Sequence, residues 1–325
     1  MYPFTFTKAR TERAALAAGA RGGRYVAGGT TLVDLMRETV ERPTEVVDIT
    51  ALPYRDIAAS PSGLRIGALA RMAELAAHPT VITRFPVISQ ALNLSASPQL
   101  RNMATIGGNL MQRPRCLYFR DVTARCNRRA PGTGCAAIGG ENRGHAVLGT
   151  STRCVATHPS DLAVALVALD AVVLLRSPSG DRSVPVSRFI RLPGSTPDVE
   201  HDLRPGELIV GIEVPAGAHT ARSGYLKVRD RQSYEFALVS AAVALDIRSG
   251  VVRDARVAVG GVATVPWRLP EVERALVGKA PGTRLWAEGS ARAADGAKPL
   301  SGNAFKVELL TRTVERQLTA IGGVA

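Results

Sequence analysis

Arg24-Tyr25-Val26-Ala27-Gly28-Gly29-Thr30-Thr31-Leu32-Val33-Asp34-Leu35-Met36 is the stretch from which the rest of the chain can be read. Arg24 to Ala27 has strand composition, Gly28-Gly29 breaks it, and Leu32, Leu35 and Met36 then recur at helical spacing. Successive amide N–H groups in such a turn converge on an anion, and glycine tolerates the positive φ and close approach required. A plain strand-to-helix turn uses the same residues, so this motif alone leaves phosphate binding open. A second glycine turn downstream, Thr105-Ile106-Gly107-Gly108-Asn109, strengthens the anion reading. Neither turn has G-x-G-x-x-G or G-x-x-x-x-G-K-[ST] spacing, which argues against a Rossmann nicotinamide site and against nucleotide hydrolysis.

Outward from that stretch, helix and strand patterns alternate. Residues 11 to 19 predict a short helix capped at Thr11, and Pro43 stops the helix after the glycine turn. Strands are expected at Val46 to Ile49 and, after the Pro61-Ser62-Gly63 turn, at Leu64 to Leu69. A helical pattern runs from Thr80 to Leu94. Between Gln112 and Thr152 regularity disappears in favour of Arg, Pro and Gly, in what reads as a loop inserted into a βα crossover. Order returns with a helix begun near Ser160-Asp161 and strands at Val172 to Leu175 and Leu208 to Val214. Pro215-Ala216-Gly217 then marks a boundary. Beyond it, Tyr225 to Val228, Ala237 to Ile247 and Val251 to Val259 predict a three-stranded antiparallel sheet, with helices near Glu271 to Leu276 and Gly302 to Leu318. The expected division is 1–216, carrying an insertion at 112–154, and a second α+β domain at 217–325.

All four cysteines, Cys116, Cys126, Cys135 and Cys154, lie in or at the edge of the irregular stretch, at intervals of 10, 9 and 19 residues. Four thiolates complete the shell of one iron-sulfur cluster or one zinc, and no Cys-x-x-Cys knuckle decides between them. Free or disulfide-bonded thiols are the remaining alternative. A disulfide framework is unusual in a chain of 325 residues with 46% hydrophobic composition, which can bury a core without one. Arg115, Arg125, Arg128 and Arg153 flank the cysteines and would offset the negative charge of a four-thiolate cluster.

The formal charge of +13 is carried mostly by dispersed arginines, with only 5% aromatic residues and no recognisable nucleic-acid-binding pattern. A basic surface for acidic subunits or redox partners is the better reading, with no nucleic acid expected. No early apolar run is long enough for a signal segment and no later one for a membrane span. Cytoplasmic synthesis without a signal of its own is therefore expected. Asp161 stands at a helix start, where it either caps the helix or accepts a cofactor hydroxyl. Lys227, in an apolar strand, could neutralise a phosphate or flavin anion, although a solvated lysine is commoner there. His78, His145, His158, His201 and His219 show no ligand spacing and read as structural or exposed. No Ser/His/Asp or paired-carboxylate layout supports hydrolysis.

Val26-Ala27-Gly28-Gly29-Thr30-Thr31-Leu32, Gln99 to Leu110 and Pro159-Ser160-Asp161-Leu162-Ala163 together resemble the FAD-binding subunits of the molybdenum hydroxylases, the family of xanthine dehydrogenase. Gly260-Gly261-Val262-Ala263 with Pro266-Trp267-Arg268 is similar to the small C-terminal domain of those flavoproteins. Through Cys116-Leu117-Tyr118-Phe119-Arg120-Asp121, Cys126-Asn127, Gly134-Cys135-Ala136-Ala137, Asn142-Arg143 and His145-Ala146, the insertion resembles that of the flavin subunit of bacterial periplasmic aldehyde oxidoreductases, where it holds a [4Fe-4S] cluster. This resemblance implies a two-part α+β FAD domain of the vanillyl-alcohol-oxidase (PCMH) type followed by the small domain. It also implies that Ala27, Gly28, Gly29, Thr30 and Thr31, with Thr105, Gly108 and Asn109, hold the FAD diphosphate. Ala96 would line the flavin pocket, Asp161 would bind ribityl or nearby hydroxyls, and Lys227 would approach the isoalloxazine end. Cys116, Cys126, Cys135 and Cys154 would ligate the cluster. The implied partners are a molybdopterin-binding large subunit, a [2Fe-2S] small subunit and an external electron acceptor, with a periplasmic location if a twin-arginine partner carries the chain out. A stand-alone flavoprotein oxidase with a structural zinc is the alternative.

Overall fold

The computed structural model describes residues 1–323. Its first layer is a small parallel sheet built from β1 (Thr5–Lys8), β2 (Arg24–Val26) and β3 (Glu45–Asp48), in the order β1-β3-β2. The helix Glu12–Ala20 connects β1 to β2 and is capped as its sequence predicts, with Thr11 Oγ1 accepting from Ala14 N. The helix Leu32–Arg37 follows β2 across the first glycine turn and buries Leu35 and Met36. Alternating strands and helices thus give the parallel pairing that such crossovers allow.

The second layer is an antiparallel sheet of β4 (Ile57–Ser60), β5 (Gly63–Gly67), β6 (Val172–Ser177), β7 (Gly180–Pro185) and β8 (Leu208–Pro215), in the order β4-β5-β8-β6-β7. Central β8 is buried along most of its length. The helical pattern expected from Thr80 to Leu94 is two helices, Pro79–Arg84 and Pro86–Leu94. Pro86 forces the residue before it out of the α region, and Phe85 accordingly sits at φ −139°.

The C-terminal sheet has four strands rather than the expected three: β9 (Ser223–Val228), β10 (Val239–Arg248), β11 (Val251–Gly260) and the two-residue β12 (Trp267–Arg268). β12 pairs through Ala258–Arg268 and Val259–Trp267, and is too short to leave a periodic signal. The near-continuous apolar run of β10 marks a strand buried on both faces. Val239, Ala241, Val243 and Leu245 enter the core beneath the helix Phe305–Gly322, while Ala242 and Ala244 enter the core shared with the FAD-side sheet. Between the two domains lies the helix Asp161–Ala168, every residue of which is buried. Apolar side chains all around a helix require such a setting.

The insertion corrects one expectation: it leaves the end of the helix Ile106–Leu110 and returns at the start of Asp161–Ala168, so it joins two helices, not a strand to a helix. Its only helix is the single turn Leu117–Arg120. Among the described residues no helix is long and apolar enough to cross a membrane.

Candidate functional site

Gly28 packs against the chain that leads into the second glycine turn. A Cβ on Gly28 would lie 2.0 Å from the Met103 carbonyl oxygen, and Gly29 has φ +71°. These two positions need glycine for different reasons, close approach and backbone hand. Thr105 Oγ1 accepts from Gly108 N at 3.3 Å and holds the second turn in shape. The paired turns stand between two chambers. The larger, about 430 Å³, is lined by Ala27 to Leu32, Thr105, Gly108, Glu41 and Arg113; the smaller, about 210 Å³, by Ala96, Asn109, Asp161, Lys227 and Phe236 among others. Thr30, Thr31 and Gly108 line both. Two adjoining chambers that share a glycine turn would suit a long ligand carrying a diphosphate. All eleven positions expected to contact FAD line one chamber or both.

The smaller chamber has a buried charged floor. Asp161 does not cap its helix; Ser160 does, its Oγ accepting from Ala163 N at 3.0 Å. Both Asp161 oxygens are already engaged, Oδ1 by Tyr225 OH at 2.7 Å and Oδ2 by Lys227 Nζ at 2.8 Å and Ser95 Oγ at 3.0 Å. Lys227 is not the solvated strand lysine that is commonest: its side chain is 1% exposed and also donates to Leu94 O. Burial, with Asp161 alongside, holds the Tyr225 hydroxyl well above its ordinary pKa, so it stays a donor. Ala96 adopts φ +50°, a strained left-handed conformation for a residue with a Cβ. Asn109 is buried and bonded through Oδ1 to Ser160 Oγ at 2.5 Å, which ties the second turn to the Asp161 helix.

The four cysteines line one small cavity. Cys126 and Cys135 are cross-strand partners in a short antiparallel bridge. Its turn is organised by Asn127, whose Oδ1 accepts from Gly132 N and Gly134 N at 3.1 and 2.9 Å. Ser151 Oγ accepts from Cys154 N at 3.2 Å and sets the last thiol. Among the described residues no three potential ligands form a ready-made metal shell. Backbone N–H groups of Phe119 and Tyr118 favour the ionised form of Cys116, and those of Ala137, Ile138 and Val155 that of Cys135, against the larger opposing effect of burial. Burial pushes the Cys116 thiol up to about 11 and raises Cys135.

Of the flanking arginines, Arg128 is the one seated on a thiol, with Nη2 3.6 Å from Cys154 Sγ. Burial opposes its charge, but Glu200 at 3.0 Å and Cys154 outweigh it and raise its pKa. Arg113 bridges Glu200, at 2.6 Å, to Glu41, at 2.7 Å, so one ion network runs from the thiols to the wall of the larger chamber. Arg115 instead lines the smaller chamber, stacked over Phe236, and Cys116 follows it directly. Sequence reasoning missed Glu41, Arg113, Glu200 and Tyr225, whose partners lie too far along the chain to leave a spacing. It also set aside His145, whose Nε2 lies 3.2 Å from Cys116 Sγ.

Residues 2–217 match the FAD binding domain in molybdopterin dehydrogenase, and residues 224–319 match the CO dehydrogenase flavoprotein C-terminal domain. The chain is 44% identical over 326 residues to the aldehyde oxidoreductase FAD-binding subunit PaoB of Escherichia coli K12, covering 97% of this chain and 96% of that one. It is 29% identical to the glyceraldehyde dehydrogenase medium chain of Sulfolobus acidocaldarius, over 86% of this chain and 83% of that one. Its fold superposes on a chain of reconstituted CO dehydrogenase from Oligotropha carboxidovorans with a TM-score of 0.77 at 22% identity, all of both chains being covered. With both domains, the paired glycine turns and the divided cleft in one chain, this protein belongs to the FAD-binding subunits of the molybdenum hydroxylase family.

Proposed function

We propose that this chain is the electron-transfer subunit of a multi-subunit molybdenum aldehyde oxidoreductase, carrying FAD in its divided cleft and a [4Fe-4S] cluster on Cys116, Cys126, Cys135 and Cys154. A molybdopterin-binding subunit would oxidise the aldehyde, and a [2Fe-2S] subunit would deliver the electrons that this chain passes to an external acceptor. The aldehyde assignment is supported by the 44% identity to an aldehyde oxidoreductase subunit. The observation that carries the rest is the convergence of four distant thiols on one cavity whose first thiol adjoins Arg115, a wall of the smaller chamber.

The two groups, when bound, would supply stepwise passage of electrons across the protein. The chain's own residues supply placement and electrostatics. The paired turns present amides to the diphosphate, while Ala96, Asp161 and Lys227 define the end of the smaller chamber. Arg128 places a buried cation on a thiol, which offsets part of the negative charge that four thiolates bring to the site.

The test is a visible spectrum with flavin, iron and zinc quantitation on the native complex, for the parent chain and Cys135→Ser. Flavin with about four irons per chain, and iron lost from the variant while flavin stays, is the expected result. Zinc in place of iron would return the alternative of a structural zinc site. Iron unchanged in Cys135→Ser would remove that thiol from the ligand set.

A further inference from the structure

The helix Phe305–Gly322 buries Lys306, Leu310, Thr313, Val314, Gln317 and Leu318, spaced as a helix's core-facing stripe is spaced. A lysine occupies the first position of that stripe, where an aliphatic side chain would pack at no electrostatic cost. It is fully buried and makes no ion pair among the described residues. Its three N–H groups instead meet three main-chain carbonyls: Gly144 O at 3.1 Å, His145 O at 3.0 Å and Gly261 O at 2.7 Å. One side-chain nitrogen, its pKa lowered by burial to about 7, thus joins the helix, the end of the C-terminal sheet and the cysteine-bearing insertion.

The neighbouring residues grip the same segment. Asn303 Nδ2 donates to the carbonyls of His145 and Ala146 at 3.2 and 3.3 Å. Asn142 accepts from Gly302 N at 2.8 Å and donates to Ser301 Oγ at 3.2 Å. What this grip fixes is the backbone of His145, whose ring is buried with Nε2 3.2 Å from Cys116 Sγ and with Nδ1 lacking a partner among the described residues. With Cys116 as a thiolate ligand, the sulfur can only accept, so Nε2 carries the proton and donates.

We propose that His145 gives an N–H···S hydrogen bond to the ligand Cys116, and that Lys306 is the positioning residue that holds it there from the C-terminal domain. This rests on the cluster reading above. A hydrogen bond to a cluster sulfur stabilises the more negative, reduced state and so raises the reduction potential. The C-terminal domain, which contributes no cysteine, thereby sets the potential at which the insertion accepts electrons.

The experiment is a redox titration of the cluster, followed by electron paramagnetic resonance, in the intact complex with iron and flavin quantified. His145→Leu should keep its iron and shift the cluster to lower potential, and His145→Gln, which retains an N–H donor, should restore part of the shift. Lys306→Met should shift the potential in the same direction, and the double variant with His145→Leu should move it no further than His145→Leu alone. Asn303→Ala reads the same grip if Lys306→Met fails to accumulate. Iron present with an unmoved potential in His145→Leu would overturn the hydrogen bond. Full additivity in the double variant would overturn the positioning role. A parent complex with no iron would instead remove the cluster reading itself, and this inference with it.

Discussion

Asp161 and Lys227 are held together 66 residues apart in sequence, in a setting where neither tolerates the loss of the other. Removing one member of a buried ion pair leaves an uncompensated charge and costs about 3–5 kcal/mol, whereas replacing both by neutral groups of similar volume costs far less. Asp161→Asn should therefore lower the midpoint of urea unfolding markedly, and adding Lys227→Met should recover most of the loss. An unchanged midpoint in the single variant would show that the pair is dispensable for folding. Pro159-Ser160 placed Asp161 at a helix start, and only the family resemblance gave it a site role; its engagement by Tyr225, Lys227 and Ser95 was not legible, since those partners come from β9 and from the end of the helix Pro86–Leu94. The His145 contact was illegible for a related reason: the ring meets Cys116 across 29 residues, and the residues bonded to the His145 backbone come from the C-terminal domain.

The first glycine turn acts as an element rather than as an isolated residue, because Gly28 packs against the Met103 carbonyl just ahead of the second turn. Gly28→Ala would drive a methyl group into the Met103 carbonyl, and overpacking against backbone costs ~1–3 kcal/mol. The expected outcome is a folded chain that loses flavin on dialysis far faster than the parent, measured by flavin absorbance against protein. Equal retention would mean that the close approach is not used by the ligand. The turns were readable in advance since few residue types other than glycine satisfy them. Secondary structure was readable where apolar periodicity was strong, as in β8, β10 and the helix Asp161–Ala168. It was not readable in β1, β4 and β7, whose short, largely exposed stretches lack that contrast, nor in the helix Thr283–Ser290, which is interrupted by glycine. The single helix expected from Thr80 to Leu94 failed at Pro86, where a backbone restriction overrides an unbroken apolar pattern.

At the scale of the whole molecule, His158 and His201 are part-buried, and desolvation of their rings pushes their pKa values down to about 3 and about 4. The unfolded chain takes up protons on both rings below about pH 6.5, while the folded chain does not. Their contribution is complete above that pH and is lost as pH falls through the window toward pH 3, at up to about 1.4 kcal/mol per pH unit for each ring. Thermal melts between pH 7 and pH 4 should show this loss, and a His201→Gln variant should show a shallower decline; identical slopes would assign the acid sensitivity elsewhere. The two-domain plan was legible because a Pro-Ala-Gly break separates two sets of periodic elements, and β8 ends at Pro215. The wedge between the domains was less so, since a helix apolar on every side announces burial without saying between what.

That wedge begins at the floor of the smaller chamber and ends deep between the two sheets. Occupancy at its first turn is therefore communicated to both halves at once: a ligand gripping the folded form there raises the melting temperature of the entire polypeptide, by an amount that grows with the logarithm of its concentration. Heat resistance of the remote C-terminal strands becomes a gauge of how full the cleft is.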